Sequence, residues 1–339
     1  MAVSLRLTIA LALVVLLETS CNIVHKPVEV EKVLGPLTEA TPAQLIAEVN
    51  RLVGIRSVHG KVDIQFEDLS TASSGIAEKY HSADGTITLQ RPGKVYLVIQ
   101  VPLIASDVAQ MTSDGEHFRI AILKGDEKYH RFVRGSNNAV YPAFDADGSE
   151  PEKKGKAKTE AQTVKALSNL RPQHLTDALL INPIDAHASG LLYARSEFFQ
   201  SEKDNTPQSR KRVVRGYYLL DEFQPGENGS ARLTRRFWFD RVGNIRLARL
   251  QTFSETGALV TDVSYAELKK FGSEGNVMLP SQISLMRPQE HYKISLTYQA
   301  PESATIDHEY PAEAFVLENK WGLREVDLDA QKASPTPKP

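Results

Sequence analysis

The chain predicts an α+β fold, a strongly bent, unclosed antiparallel sheet of about eleven strands with a helical lid. Three observations carry that reading. Apolar residues recur with a period of two along most of the length, the spacing that puts them on one face of a strand. Short turn-type clusters separate those runs and leave no room for the helical crossovers that parallel strands need. Only two stretches, near 42–53 and 171–182, carry the helical period instead.

Taken in order, the chain opens on Arg6 and an eleven-residue apolar run, Leu7–Leu17. A basic start and an apolar core too short to span a bilayer predict a secretory signal peptide over residues 1–20. It ends in Leu16-Leu17-Glu18-Thr19-Ser20-Cys21, at the only cysteine of the chain. This segment resembles the lipobox of bacterial lipoproteins, with Glu18 standing where such boxes usually carry leucine. The resemblance implies acylation of Cys21 and a lipid (palmitate-type) anchor; an ordinary signal peptide with an unrelated cysteine is the alternative. Residues 21–41 hold prolines and charges without periodicity and read as a tether.

Thr41-Pro42 then starts a helix, threonine as N-cap and proline at the first helical position. Leu45, Ile46, Val49, Leu52 and Val53 form its apolar face and Gly54 stops it. Beyond it the period drops to two. Val58, Gly60, Val62, Ile64 and Phe66 alternate with Lys61, Asp63 and Gln65. The alternation returns in Ile87 and Leu89, in Val95–Val101, in Phe118–Ile122, in Phe237 and Phe239, and in Tyr292–Tyr298. Ala83-Asp84-Gly85, Arg91-Pro92-Gly93, Ser113-Asp114-Gly115, Lys124-Gly125-Asp126, Val242-Gly243-Asn244 and Thr256-Gly257 read as the turns between strands. Residues 145–163 are polar and charged, and are expected to form a mobile insertion in a domain spanning 42–329. Arg171–Leu180 follows as an amphipathic helix ended by Asn182-Pro183, and residues 330–339 are expected to be a disordered tail.

Composition excludes several classes of function. The 40 basic and 42 acidic residues nearly cancel, so no positive field recruits nucleic acid. No nucleophile elbow, zinc-binding helix or phosphate-cradling loop occurs, and the nine histidines are scattered singly. Asp145–Glu150 invites a calcium reading but lacks a third loop acid and a distal glutamate, and a solvated acidic loop fits better. The expectation is a protein without catalytic residues, metal or cofactor.

The apolar side offers more. Ile64, Phe66, Ile87, Leu89, Val95, Leu97, Ile99, Phe237 and Phe239 point to one concave face if the strands form a bent sheet, with Leu175, Leu179 and Leu180 as the lid. A one-residue register slip would invert any of these strands. Such a face is either packed shut or open to an apolar ligand, and the sequence leaves both open. Pro102, Leu103 and Ile104 enter a link without charges, either a turn tucked against the core or an apolar tip facing a membrane or partner.

The order of elements also resembles the LolA/LolB-type lipoprotein carriers of the bacterial envelope. The segments carrying the resemblance are Val58–Ile64, Ala83–Val95 with its Arg91-Pro92 turn, Ser113-Asp114-Gly115, Arg236–Asp240, Gly257 with Val260–Tyr265, and Pro280–Ile283. The resemblance implies a half-open barrel with a helical lid whose apolar cavity takes acyl chains, and a protruding apolar loop at Pro102–Ala105. This chain is longer than those carriers, with the 145–163 insertion and extra strands. The expected function is an envelope lipoprotein that binds lipid or the acyl chains of another lipoprotein. Asn22, in place of an aspartate after the cysteine, leans the anchor toward the outer membrane, facing the periplasm. A scaffolding lipoprotein that acts through protein partners without a ligand is the alternative.

Overall fold

The computed structural model describes residues 30–333 except 70–77, 80–81, 102–105, 125–126, 128–129, 140–169, 205, 207, 210, 227–228 and 276. Cys21, Pro102, Leu103, Ile104 and the 145–163 insertion lie outside the described residues. The described residues divide into two compact units, one from residues 30–33 with 201–214 and the other from 34–200 with 215–333.

In the smaller unit β1 (Lys32–Val33) runs parallel to a strand segment at 213–214, Lys32 opposite Val213 and Val33 opposite Val214. Arg212 donates to the Ser201 hydroxyl at 2.8 Å and stands 3.5 Å from Glu31.

The larger unit holds a strongly curved, unclosed sheet built from two antiparallel meanders. The first contains β2 (Ser57–Asp68), β3 (Glu78–Lys79), β4 (Ala83–Gln90), β5 (Lys94–Val101), β6 (Ser106–Ser113), β7 (His117–Ile122) and β8 (Arg131–Ser136). The second begins with β9 (Leu192–Lys203) and β10 (Arg212–Pro225), each shared with the smaller unit at its hairpin end. It continues through β11 (Ala231–Asp240), β12 (Arg246–Phe253), β13 (Leu259–Phe271), β14 (Val277–Arg287) and β15 (Tyr292–Tyr298). The meanders join where β15 pairs antiparallel with β2, from Tyr292 opposite Asp68 to Tyr298 opposite Val62. β16 (Thr305–Ile306) adds to β2, and β17 (Arg324–Asp327) runs parallel to β8 and ends that side.

Seventeen strands are thus described, not about eleven, and three of them (β1, β3 and β16) are only two residues long. The extra strands escaped the period-two reading for a physical reason. Gly216–Glu222 in β10 is buried on both faces, and Ala194–Phe199 in β9 is exposed on both, so neither alternates. One expected turn is corrected as well. Ala83-Asp84-Gly85 lies inside β4. A Cβ at Gly85 would meet the Val98 carbonyl oxygen at 2.5 Å and the Ile64 Cδ1 at 2.8 Å. Glycine here permits close packing inside a strand and makes no turn.

Helix α1 (Pro42–Val53) has the expected bounds, with a reciprocal capping box between Thr41 and Gln44. Helix α2 (Pro172–Leu179) is shorter than its apolar pattern and stops before Asn182-Pro183, because Leu180 leaves the helical region at φ −110°, ψ 64°. A third helix, α3 (Leu328–Ala333), takes up the start of the stretch expected as a tail. Leu37–Ala40, from the stretch expected as a tether, is fixed to the turn after β11: Thr38 donates its amide to the Arg241 carbonyl at 2.8 Å and its hydroxyl to that of Gly243 at 2.7 Å.

One apolar core fills the larger unit, with Leu45 and Val49 of α1 and Leu175 and Ala178 of α2 packed onto the sheet's inner residues. The link between β16 and β17 packs against side chains of the first meander that lie outside this core. The Gln90 side chain holds the backbone of Tyr310 at both its amide and carbonyl (2.7 and 3.1 Å), and Leu317 packs on Ala121 and Phe132.

Candidate functional site

Both helices end at the same place. Leu52 and Ile55 from the end of α1 meet Leu179, Leu180 and Ile181 from the end of α2, over Leu89, Tyr265, Phe271, Leu279, Ile283 and Tyr298 of the sheet. They line an apolar cavity of about 60 Å³ with one guanidinium, that of Arg91, at its wall. Of the residues expected to line a ligand cavity or its lid, Leu89, Leu179 and Leu180 line this one. Ile64, Phe66, Ile87, Val95, Leu97, Ile99, Phe237, Phe239 and Leu175 are buried in the same core without touching it.

The backbone of the segment that lines one side of the cavity is fixed by polar side chains. Arg91 follows β4 and donates through Nε to the Ile55 carbonyl at 3.0 Å, and through Nη1 to those of Leu180 (3.3 Å) and Ile181 (3.1 Å). Arg235 on β11 donates to the next two carbonyls, Asn182 at 3.1 Å and Pro183 at 3.4 Å. Asn50 on α1 takes the fifth, donating to the Ile184 carbonyl and accepting from its amide, both at 2.9 Å. Five consecutive carbonyls, 180 to 184, are thereby held by three side chains from three separate elements. Leu180 itself is the first residue past the helix, where carbonyls have lost their helical partners.

Arg235 is aimed by Glu222. The buried Glu222 carboxylate accepts from Arg235 Nε at 2.8 Å and pairs with its Nη2, and also accepts from Thr234 (2.8 Å) and the Tyr193 hydroxyl (2.9 Å). Burial alone would raise this carboxyl, but the hydrogen bonds and charge of Arg235 with those of Thr234 and Tyr193 hold it below its ordinary value. Burial and the carboxylate beside it push the Tyr193 phenol up to about 12.

Two further bonds seat the helix itself. The Tyr265 hydroxyl donates to the Ala178 carbonyl at 2.8 Å, and His174 Nδ1 lies 2.6 Å from the Tyr292 hydroxyl with the rings stacked. Burial, then the positive charges of Arg287 and Arg171, depress His174 to about 3. Asp177 next to it keeps solvent contact, yet desolvation raises its carboxyl to about 6 against the pull of Arg287; open water softens the effect of that shift.

A neutral His174 contributes stability that is whole above its unfolded value near 6.5 and falls away as pH drops toward 3. Asp177 acts in the opposite sense, favouring the fold when protonated below about 6. Since the histidine is the more enclosed of the two, acidification from pH 7 to 4 should cost about 2 kcal/mol net at this helix. Thermal melts against pH should show that loss in the parent chain and a flatter profile in His174→Gln. Parallel profiles would remove His174 as the cause.

The sequence patterns named the turn at Arg91 and the stop at Asn182-Pro183 without showing that they meet. No local signal showed that Arg235, Asn50 and Tyr265 hold this segment and helix, because the backbone groups they hold lie 52 to 134 residues away. Among the described residues no three histidine, cysteine or acidic side chains stand close enough to hold a metal, and no helix is long and apolar enough to cross a membrane.

No family model matches this chain, and no curated protein matches it. Among solved structures it is similar to a LolA superfamily protein from Nitrosomonas europaea, at 13% identity over 82% of this chain and 99% of that one, TM-score 0.38. It is similar to a DUF1329 family protein from Desulfovibrio piger, at 9% identity over 80% and 95% of the two chains, TM-score 0.39. It is also similar to a domain from Vibrio parahaemolyticus designated an outer membrane lipoprotein-sorting protein, at 10% identity over 80% and 94%, TM-score 0.39. At such identities and TM-scores these are likenesses only, and what the chain does has to be sought in its own interior.

Proposed function

We propose that this chain takes up an apolar chain, that of a lipid or of an acylated protein, between its sheet and its two helices, with α2 and the 180–184 strap as the lid. The five-carbonyl latch is the observation that supports this most. Hydrogen bonds from side chain to backbone exchange for water at a small net cost each, so the main cost of releasing the strap is uncovering Leu180, Ile181 and Ile184, which are buried in the core. The cavity of about 60 Å³ has room for about five waters, less than a whole acyl chain needs. An acyl chain therefore enters only as the lid moves. Burial returns about 0.8 kcal/mol per methylene, so a long acyl chain that takes the place of the strap's side chains can offset their exposure and the opened latch.

The work done is burial without chemistry, and no catalytic residue is assigned. Attachment through an acylated Cys21, at the outer membrane facing the periplasm, belongs to the same proposal and would keep the cavity at a membrane surface. The second reading, a tethered scaffold acting through protein partners, is favoured by one observation: nine of the twelve residues expected at a cavity or its lid are buried in the core and do not line this cavity.

Native mass spectrometry of the exported chain carrying Cys21→Ser, which removes the site of acylation, purified without detergent and followed by organic extraction, separates the two. Stoichiometric bound lipid, or uptake from phospholipid vesicles or a diacylated peptide, is the expected result. A clean apo mass with no uptake of either would leave the scaffold.

A further inference from the structure

The two edges of the sheet are treated differently. β17 is four residues long and three of them, Arg324, Glu325 and Asp327, are charged, the usual way of making an edge unattractive to other strands. β9 pairs with β10 on one side and, among the described residues, with nothing on the other. From Leu192 to Gln200 it has no proline, glycine or lysine to protect it. Leu192, Phe198 and Phe199 are 57%, 41% and 49% exposed along it.

We propose that β9 pairs antiparallel with β9 of a second copy of this chain, about a two-fold axis at Ser196. The segment 192–200 is complementary to its own reverse. With Ser196 opposite itself, Arg195 faces Glu197 of the second copy and Glu197 faces its Arg195. Ala194 then faces Phe198 and Tyr193 faces Phe199, a small-to-large and an aromatic pairing. Moving the axis one residue either way sets Arg195 against Arg195 or Glu197 against Glu197, so charge selects the register. Both side chains are placed to take part. Glu197 spends one carboxylate oxygen on Arg241 at 2.7 Å and stays 48% exposed, and the exposed Arg195 gives Nη1 to the Ala40 carbonyl.

The test uses the full chain carrying Cys21→Ser, which has no other thiol. Ser196→Cys places two thiols across the axis, at a Cα separation within the range a disulfide tolerates. Ala194→Cys on the same strand places its two thiols about 13 Å apart along it. Under mild oxidation Ser196→Cys should form covalent dimer at least about tenfold faster than Ala194→Cys. Sedimentation of the parent chain should show a monomer–dimer equilibrium that Arg195→Glu, which opposes carboxylate to carboxylate, shifts to monomer. Equal cross-linking rates overturn the proposal, whether the parent stays monomeric or dimerises through another surface.

Discussion

Leu97→Arg is expected to abolish the folded state. Leu97 is fully buried at the centre of β5, between Ile87 of β4 and Met111 of β6, and it does not touch the cavity. A guanidinium there has neither an acceptor nor a route to water, and an uncompensated buried charge costs about 3–5 kcal/mol or more. That is a large part of the stability of an ordinary domain. Loss of the cooperative thermal transition by circular dichroism is the expected readout, with Leu97→Met within about 1.5 kcal/mol of the parent as the control for shape. A soluble variant melting near the parent would mean that the sheet opens at this depth, and that the ligand space extends well beyond the small cavity at the helix ends.

Arg91→Met should act more locally. It keeps the apolar stem and removes the three bonds to Ile55, Leu180 and Ile181. Leaving buried carbonyls without donors costs about 1–3 kcal/mol each, and the losses overlap because one cation serves all three. A total near 3 kcal/mol corresponds to about a hundredfold rise in local opening. Hydrogen exchange reads it directly at the Leu180 amide, which bonds to the Thr176 carbonyl, and at the Ile184 amide, which bonds to Asn50. Both should lose protection while the β2–β15 amides keep theirs. Arg91→Lys should fall between, since an ammonium lacks the planar fork that reaches three oxygens at once. Unchanged protection at 180 and 184 would show that the strap is held by packing and that the latch is incidental.

The parts of this molecule that were legible in its sequence are the parts whose physics is local. Thr41, Pro42 and Gln44 cap α1 within four residues, so its start was readable to the residue. The alternation of β2, with Val58, Val62 and Ile64 buried and Lys61 exposed, survives because one face meets the core and the other meets water. Where both faces of a strand are covered, as in β10, or both bare, as in β9, the alternation vanishes and the strand was missed. Leu180 was named as an apolar residue and lines the cavity, yet its carbonyl, which meets Arg91, was invisible. No spacing rule connects residue 91 to residue 180, since that contact exists only once the sheet has curved.

The seam between β15 and β2 has a consequence for how the chain reaches its native state. Its paired residues are more than 220 positions apart; Lys293 Nζ, for example, meets Glu67 at a separation of 226. Contacts that distant form slowly, because a large loop must close before any of them is gained. Until then β2, near the beginning, waits with one side bare while everything through Tyr298 is synthesised. Completion of the sheet is therefore a late, whole-chain event, and the interval before it is when the nascent protein is most open to mispairing with its neighbours.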